Sequence, residues 1–350
     1  LIILLSFIIT IYKPKYGLGI TLIALVLSSV NFLPHWLNWN FTGYDQKDDW
    51  SDITNLYSGL NQLEPGRIMW EPNSDLNKYG TPMVLMTIPM FTNHESIEGL
   101  YFDSSITTPF HFVTVSGVAE SPSNPVGGLS YINGDFDRGV RYMKELGVDY
   151  FISYTDSITD KAIMSDELEN LFQSSPFTVF KIYSDKVQVV DAELVNFSQP
   201  ELFERISNSI FKQEKTDSFF NLAMKEFKLD NKKRIIEGID VEESQIQNRL
   251  SNKKSEINNV RISNNKITFE TEHPNELHIV KVSYFPNWKI ENGSGPYRLS
   301  PSFMGVIPYS NEVSITFENT SLEKSLNIIS LIIFLLTAYL LVFRIKKYAE

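Results

Sequence analysis

The run from Leu326 to Phe343, LNIISLIIFLLTAYLLVF, carries no charged residue and approaches the ~20 residues a helix needs to cross ~30 Å of hydrocarbon. It stops at Arg344, Lys346 and Lys347. A second uncharged run, Gly17 to Leu37, follows Lys13 and Lys15 and closes on Trp36 and Trp39, where an aromatic belt would meet the membrane–water interface. Each run therefore has its basic residues on the outer flank. The positive-inside rule puts both basic clusters in the cytoplasm, so the chain between the runs begins and ends on the opposite face. Residues 1–12 are apolar but too short to cross, lack a basic leader and do not begin with Met; they read as the end of an upstream span rather than a signal peptide. The alternative is a buried core helix at each terminus, but uncharged runs this long with one-sided charge are rare in soluble folds.

Averaged over the chain, 43% hydrophobic residues and a mean hydropathy of -0.13 describe an ordinary globular protein. The average hides the ends. Between them the sequence is polar, rich in Asn and Ser, and strongly aromatic, as expected of a folded, water-facing region. The formal net charge is -11, and the part between the spans is more acidic still, because five bases and only Glu350 lie on the flanks. Nucleic acid is excluded as a partner on that balance. With no cysteine, disulfides and thiolate metal sites are excluded too. The sequons at Asn40, Asn196, Asn292 and Asn319 occur about as often as chance allows in so Asn- and Ser-rich a chain.

The patterning predicts a membrane-anchored α+β chain, with transmembrane helices flanking an extracytoplasmic α/β domain, a helical connector and a C-terminal β-sandwich. Residues 1–37 are the membrane region, with the span at 17–37, and 38–64 form a juxtamembrane linker with a short helix near Asp52 to Leu60. Residues 65–195 form the α/β domain. Within it, apolar runs at Ile68 to Trp70 and Val84 to Ile88 are read as β-rich, and Asp135 caps a helix from Phe136 to Leu146 that stops at Gly147. A strand follows at Tyr150 to Tyr154, then a helical stretch at Asp160 to Phe172. Two β runs, Phe177 to Tyr183 and Lys186 to Val190, flank the turn residues Ser184 and Asp185. Residues 196–255 have helical spacing, at Phe203, Ile206 and Ile210 and again from Phe219 to Phe227. Residues 256–322 switch to period two between Asn- and Pro-containing turns, the pattern of a sandwich. The last span is 323–343 and the cytoplasmic tail 344–350.

The segment Val282-Ser-Tyr-Phe-Pro-Asn-Trp-Lys-Ile-Glu-Asn-Gly293, followed by Tyr297-Arg-Leu and Phe303-Met-Gly-Val-Ile-Pro308, resembles the terminal β domain of large envelope proteins, in which a final strand runs straight into a last transmembrane helix. The family resembled is that of the YfhO-type and pyruvoyl-tetrahydropterin-synthase-related membrane proteins, relatives of the GT-C glycosyltransferases that use polyprenyl-phosphate sugars. The helix, Leu146-Gly-Val-Asp-Tyr150 and strand unit is similar to their extracytoplasmic domain. The resemblance covers about a third of the chain. It implies a membrane glycosyltransferase or a protein that modifies lipid-linked sugars, whose base sits on an early outer loop that has no counterpart here. No catalytic residue carries over.

Two constellations stand out from the residues themselves. His94-Glu95-Ser-Ile-Glu98 sets a His and a carboxylate four apart, a metal-ligand spacing if helical, but it lacks the second His of a zincin motif; capping or loop polarity is the plainer reading. The stretch from Glu95 to Phe112 mixes carboxylates, hydroxyls and aromatics. With Trp70, Glu71, Tyr79, Glu98, Tyr101 and Asp103 it composes a candidate sugar cleft, against the simpler possibility of an irregular segment packed by its own aromatics. Trp288 fits either a sugar platform or, more in keeping with its strand, a sandwich core.

The leading expectation is the C-terminal part of a polytopic, glycosyltransferase-like envelope protein, multi-pass in the cell membrane, with the bulk of the chain extracytoplasmic. Its partners are the lipid bilayer and a glycan, a lipid-linked sugar or another envelope protein; no cofactor is called for. The rival is a non-catalytic, membrane-anchored binding or structural module, favoured by the lack of any nucleophile elbow, nucleotide loop or Ser/His/Asp order.

Overall fold

The computed structural model describes residues 33–47, 49–99, 107–190, 192–195, 218–228, 234–237 and 257–349, with single positions at 11, 19 and 26. The chain is mixed α+β and divides into two units. The first comprises residues 1–100, 114–140 and 148–183, the second residues 101–113, 141–147 and 184–350. Most of the Gly17 to Leu37 run, and the helical spacing expected at Phe203 to Ile210, lie outside the described residues.

The first unit opens with α1 (Leu33–Phe41) and α2 (Trp50–Leu60). Its sheet runs in the order β2-β1-β3-β5-β4, with β1 (Arg67–Trp70), β2 (Glu95–Ser96) and β3 (Tyr150–Ser153) parallel. Strands β4 (Leu168–Ser174) and β5 (Phe177–Ile182) complete it in antiparallel fashion. Near-continuous apolar runs in β1, β3 and β5 are what a sheet covered on both faces demands. On one face Ile53, Leu56 and Leu60 of α2 pack with Ile68, Trp70, Tyr150, Ile152, Phe177 and Val179. On the other, Phe151 meets Phe136 at the start of α5 (Phe136–Glu145), with ring centroids 6.4 Å apart. Helix α4 (Thr108–Val118) precedes α5, and the unit boundaries fall inside both helices. They approach through glycine: a Cβ on Gly139 would lie 2.5 Å from Val118 Cγ1, and one on Gly117 would lie 2.8 Å from the Asp135 carbonyl oxygen. The Asp135 carboxylate accepts the Arg138 N–H at 3.2 Å, and Gly147, just past α5, takes the left-handed φ of 69° that ends a helix.

Three expected elements differ. Val84 to Ile88 is not β but a 3-10 turn, Val84–Thr87, leading into the one-turn α3 (Ile88–Phe91); five apolar residues cannot show their period, and Pro89 favours a helix start. The stretch from Asp160 to Phe172 is split. Helix α6 (Asp156–Met164), capped by Thr155, ends at Ser165, and the remainder is drawn into β4 by pairing with β5. The two β runs around Ser184 and Asp185 are no hairpin, since β5 pairs with β3 and β4 whereas β6 (Val187–Val189) joins a sheet of the second unit.

That unit holds two sheets. One is β12-β15-β10-β9, from β9 (Ile257–Ile262), β10 (Lys266–Thr271), β12 (Trp288–Ile290) and β15 (Glu312–Phe317). The other, β6-β11-β14-β13-β8-β7, combines β11 (His278–Ser283), β13 (Gly293–Leu299) and β14 (Phe303–Pro308) with β6, β7 (Ala192–Val195) and β8 (Arg234–Glu237). Ile267, Phe269, Trp288, Val313 and Ile315 from the first sheet share one core with Val187, Val280, Met304 and Val306 from the second, the arrangement of a sandwich. The stretch expected to be a helical connector thus contributes a strand, β8, beside the helix α7 (Ser218–Phe227). The chain ends in α8 (Ser321–Ala349).

Candidate functional site

In the first unit the carboxyl ends of β1 and β3 lie side by side, the place where open α/β sheets most often bind ligands. Glu71 follows β1 directly and is fully buried. Its Oε2 accepts the N–H groups of Tyr154 and Thr155, each at 2.9 Å, and its Oε1 accepts the Glu120 N–H at 3.2 Å and the Thr155 hydroxyl at 2.8 Å. A carboxylate so used closes the chain ends over the sheet and has no lone pair left for a substrate.

The aromatics proposed for the cleft are inside. Trp70 is 2% exposed and Tyr79 1%, both within the core beneath the sheet, and the Tyr79 hydroxyl donates to Asp52 at 2.8 Å. Burial, reinforced by that carboxylate, pushes the Tyr79 phenol well above its usual range. Glu98 is half-buried just beyond β2, and burial pushes its carboxyl up to about 7. Tyr101 and Asp103 lie outside the described residues. The structure therefore brings Trp70, Glu71 and Tyr79 into one unit, but as core and latch rather than as an open aromatic surface.

His94 is equally committed. Its ring is buried, with Nε2 2.8 Å from the Leu60 carbonyl oxygen and Nδ1 3.2 Å from the Gly66 N–H. Nδ1 also lies 3.3 Å from the Gly66 carbonyl oxygen, so both ring nitrogens are engaged with backbone and neither is turned toward a metal. Glu95 points outward to an ion pair with Arg67 at 3.5 Å. Among the described residues no three His, Asp or Glu side chains are placed to hold a metal together.

The second unit buries an ionic cluster that the sequence did not signal. Arg234 of β8 pairs with Glu226 of α7 at 3.3 Å and with Glu145 at the end of α5. Nearby, buried Lys281 of β11 donates to the Lys144 carbonyl oxygen at 2.8 Å. Burial pulls the Lys281 ammonium down to about 8, against the pull of Glu145. The cluster joins helix ends to the sheet, and removing one partner would leave an uncompensated buried charge.

The feature with the clearest functional chemistry is α8. Its segment Ser321–Tyr339 is long and apolar enough to cross a membrane, about 28 Å at 1.5 Å per residue. From Leu326 onward it carries no charge, and its apolar side chains are exposed rather than packed, among them Leu331, Phe334 and Leu335. A core helix would be packed. Only Glu318, Asn319 and Thr320 separate it from β15. Thr320 and Glu323 cap it reciprocally, the Thr320 hydroxyl accepting the Glu323 N–H at 3.2 Å and the Glu323 carboxylate accepting the Thr320 N–H at 2.6 Å. Asn287, buried in the turn before β12, donates its amide to the same carboxylate at 2.7 Å. Helix and sandwich are thus bonded at their junction.

No family model matches the sequence, and no curated protein or solved structure shows significant similarity to it.

Proposed function

We propose that this chain is a membrane-anchored portion of a polytopic envelope protein, whose folded units stand outside the cytoplasm and support or contact a glycan or a protein partner without performing chemistry themselves. The observation that carries the reading is α8, an uncovered apolar helix built into the sandwich by three connecting residues and a shared carboxylate. Arg344, Lys346 and Lys347 beyond it favour the cytoplasmic side, and the basic residues before Gly17 favour a second crossing, in the opposite direction, that also keeps its basic end in the cytoplasm. The non-catalytic role is supported by four of the candidate residues that the structure describes: Glu71 is saturated with donors, His94 is bonded through both nitrogens, and Trp70 and Tyr79 lie in the core.

A second reading rests on the resemblance of residues 282–308 to the terminal domain of glycosyltransferase-like membrane proteins. In it the chain is the carboxyl-terminal part of a polyprenyl-phosphate-sugar-dependent transferase, with the catalytic loop elsewhere. The run of β11 to β15 straight into an apolar helix is the order that resemblance implies. Alkaline carbonate extraction of membranes tests the anchor. The chain should stay with the membrane, and a version truncated after Glu318 should lose at least that tether; release of the intact chain would overturn the proposal. Tryptophan fluorescence of the detergent-solubilised chain, titrated with envelope oligosaccharides, separates glycan contact from partner docking.

A further inference from the structure

Around the top of α8 the second unit exposes apolar side chains that its own fold does not use. Phe285, in the turn between β11 and β12, is 52% exposed; Phe317, the last residue of β15, is 38% exposed; and Leu322, in the first turn of α8, is 68% exposed. The Phe285 and Phe317 rings lie 6.0 Å apart, and Phe317 stands edge-on to Trp288 at 5.1 Å, so the pair is seated on the core rather than waving free. The turn is fixed as well. The Trp288 N–H donates to the Phe285 carbonyl oxygen at 3.1 Å, the Glu318 N–H donates to the Asn287 carbonyl oxygen at 2.9 Å, and the Asn287 side chain reaches Glu323.

We propose that Phe285, Phe317 and Leu322 form an apolar collar that inserts into the headgroup layer of the bilayer and holds the sandwich down on the membrane surface, an inference that rests on α8 being a membrane anchor. Dimensions select lipid over another occupant. The uncharged run begins at Leu326, five residues into α8, which puts Ser321 about 7.5 Å above the hydrocarbon edge. The headgroup layer on each side is about 5–8 Å thick. The Asn287 to Glu323 bond sets the Phe285 turn beside that first helical turn, so the two rings fall at the depth where aromatic side chains concentrate. The collar is continuous with the apolar surface of α8, with Leu322 and Leu326 bridging the two. Lys289 and Lys324, both exposed and both within 4.0 Å of Glu318, ring the same corner with long side chains suited to lipid phosphates.

The chain has no native cysteine, so single labels are unambiguous. Phe285→Cys, Leu331→Cys and Glu312→Cys, each carrying a bimane label on the full chain, are reconstituted into phosphatidylcholine vesicles with and without headgroup-nitroxide lipid. Glu312 begins β15 and lies about 16 Å along the strand from Phe317. The label at 285 should be quenched severalfold more strongly than that at 312, and its emission should shift to the blue on adding vesicles. A label at 331 buried in lipid with one at 285 quenched no more than at 312 overturns the collar and leaves the anchor standing. A label at 331 in water overturns both. A 285 label shielded from aqueous iodide in detergent, yet unquenched in vesicles, assigns the patch to a protein surface and also overturns the proposal.

Discussion

Glu71 holds four donors in a buried place, and its removal strands all of them. In Glu71→Ala the N–H groups of Glu120, Tyr154 and Thr155 and the Thr155 hydroxyl lose their acceptor together in a buried place. Each buried donor left unsatisfied costs about 1–3 kcal/mol. Water entering the vacated space recovers part of that, so the low end applies to each of the four, giving a loss of about 4 kcal/mol. At roughly 2–4 °C per kcal/mol for a unit of this size, the midpoint should fall by about 8–16 °C. Glu71→Gln keeps one accepting oxygen, and the Thr155 hydroxyl can turn to accept from the new amide, so about half that loss is expected. The assay is thermal unfolding of the full chain in mild detergent, in a Trp288→Phe background. The remaining tryptophans, Trp36, Trp39, Trp50 and Trp70, then all lie in the first unit and report on it alone. An Ala variant melting within ~2 °C of its parent would mean that the four bonds do not support the fold, and the latch would be refuted.

Trp288→Ala should destabilise the second unit by about 3–5 kcal/mol, because the ring fills the core between the two sheets and braces Phe317; urea unfolding followed by circular dichroism measures it, and an unchanged midpoint would put the ring outside the core. Glu98 binds its proton more tightly folded than unfolded, at about 7 against 4.5, so the stability it confers falls as pH rises through that window. Glu98→Gln should therefore raise the melting temperature of the first unit at pH 7.5 and leave it almost unchanged at pH 4; equal effects at both would contradict the assignment. His278, neutral in its bonds to Thr271 and the Glu276 carbonyl oxygen, is held down at about 4, so the unfolded chain takes the extra proton between pH 6.5 and 4. The second unit should lose stability on acidification across that range, less steeply in His278→Gln.

What could be read from the sequence follows a physical line. The period-two strands, such as Lys266-Ile-Thr-Phe-Glu-Thr271, bury alternate residues against one core, and that alternation is local. So are the helix limits at Asp135 and Gly147 and the apolar run of α8. Pairing is not local. Strand β6 has three residues and finds its partner β11 about ninety positions away, and β4 is extended only because β5 is beside it. No window around either could say so. The burial of Trp70 and Glu71 was hidden for a related reason. Glu-Pro-Asn after a strand looks the same whether the carboxylate meets solvent or three backbone N–H groups, and those donors come from residues 120, 154 and 155. His94 likewise shows a ligand's spacing in sequence and a brace's geometry in space, because Leu60 and Gly66 supply its partners. Arg234, Glu226 and Glu145 are brought together from three separate segments, and nothing in their spacing announced it.

The central claim is that α8 crosses a membrane with the folded units on the outer side. Single cysteines at Glu312 and Lys347 of the full chain, treated in intact cells with a membrane-impermeant maleimide, test it most directly. Position 312 should label at once and position 347 only after the cells are permeabilised. Labelling of 347 in intact cells with 312 protected would invert the topology, and equal labelling of both before and after permeabilisation would mean that α8 does not cross at all.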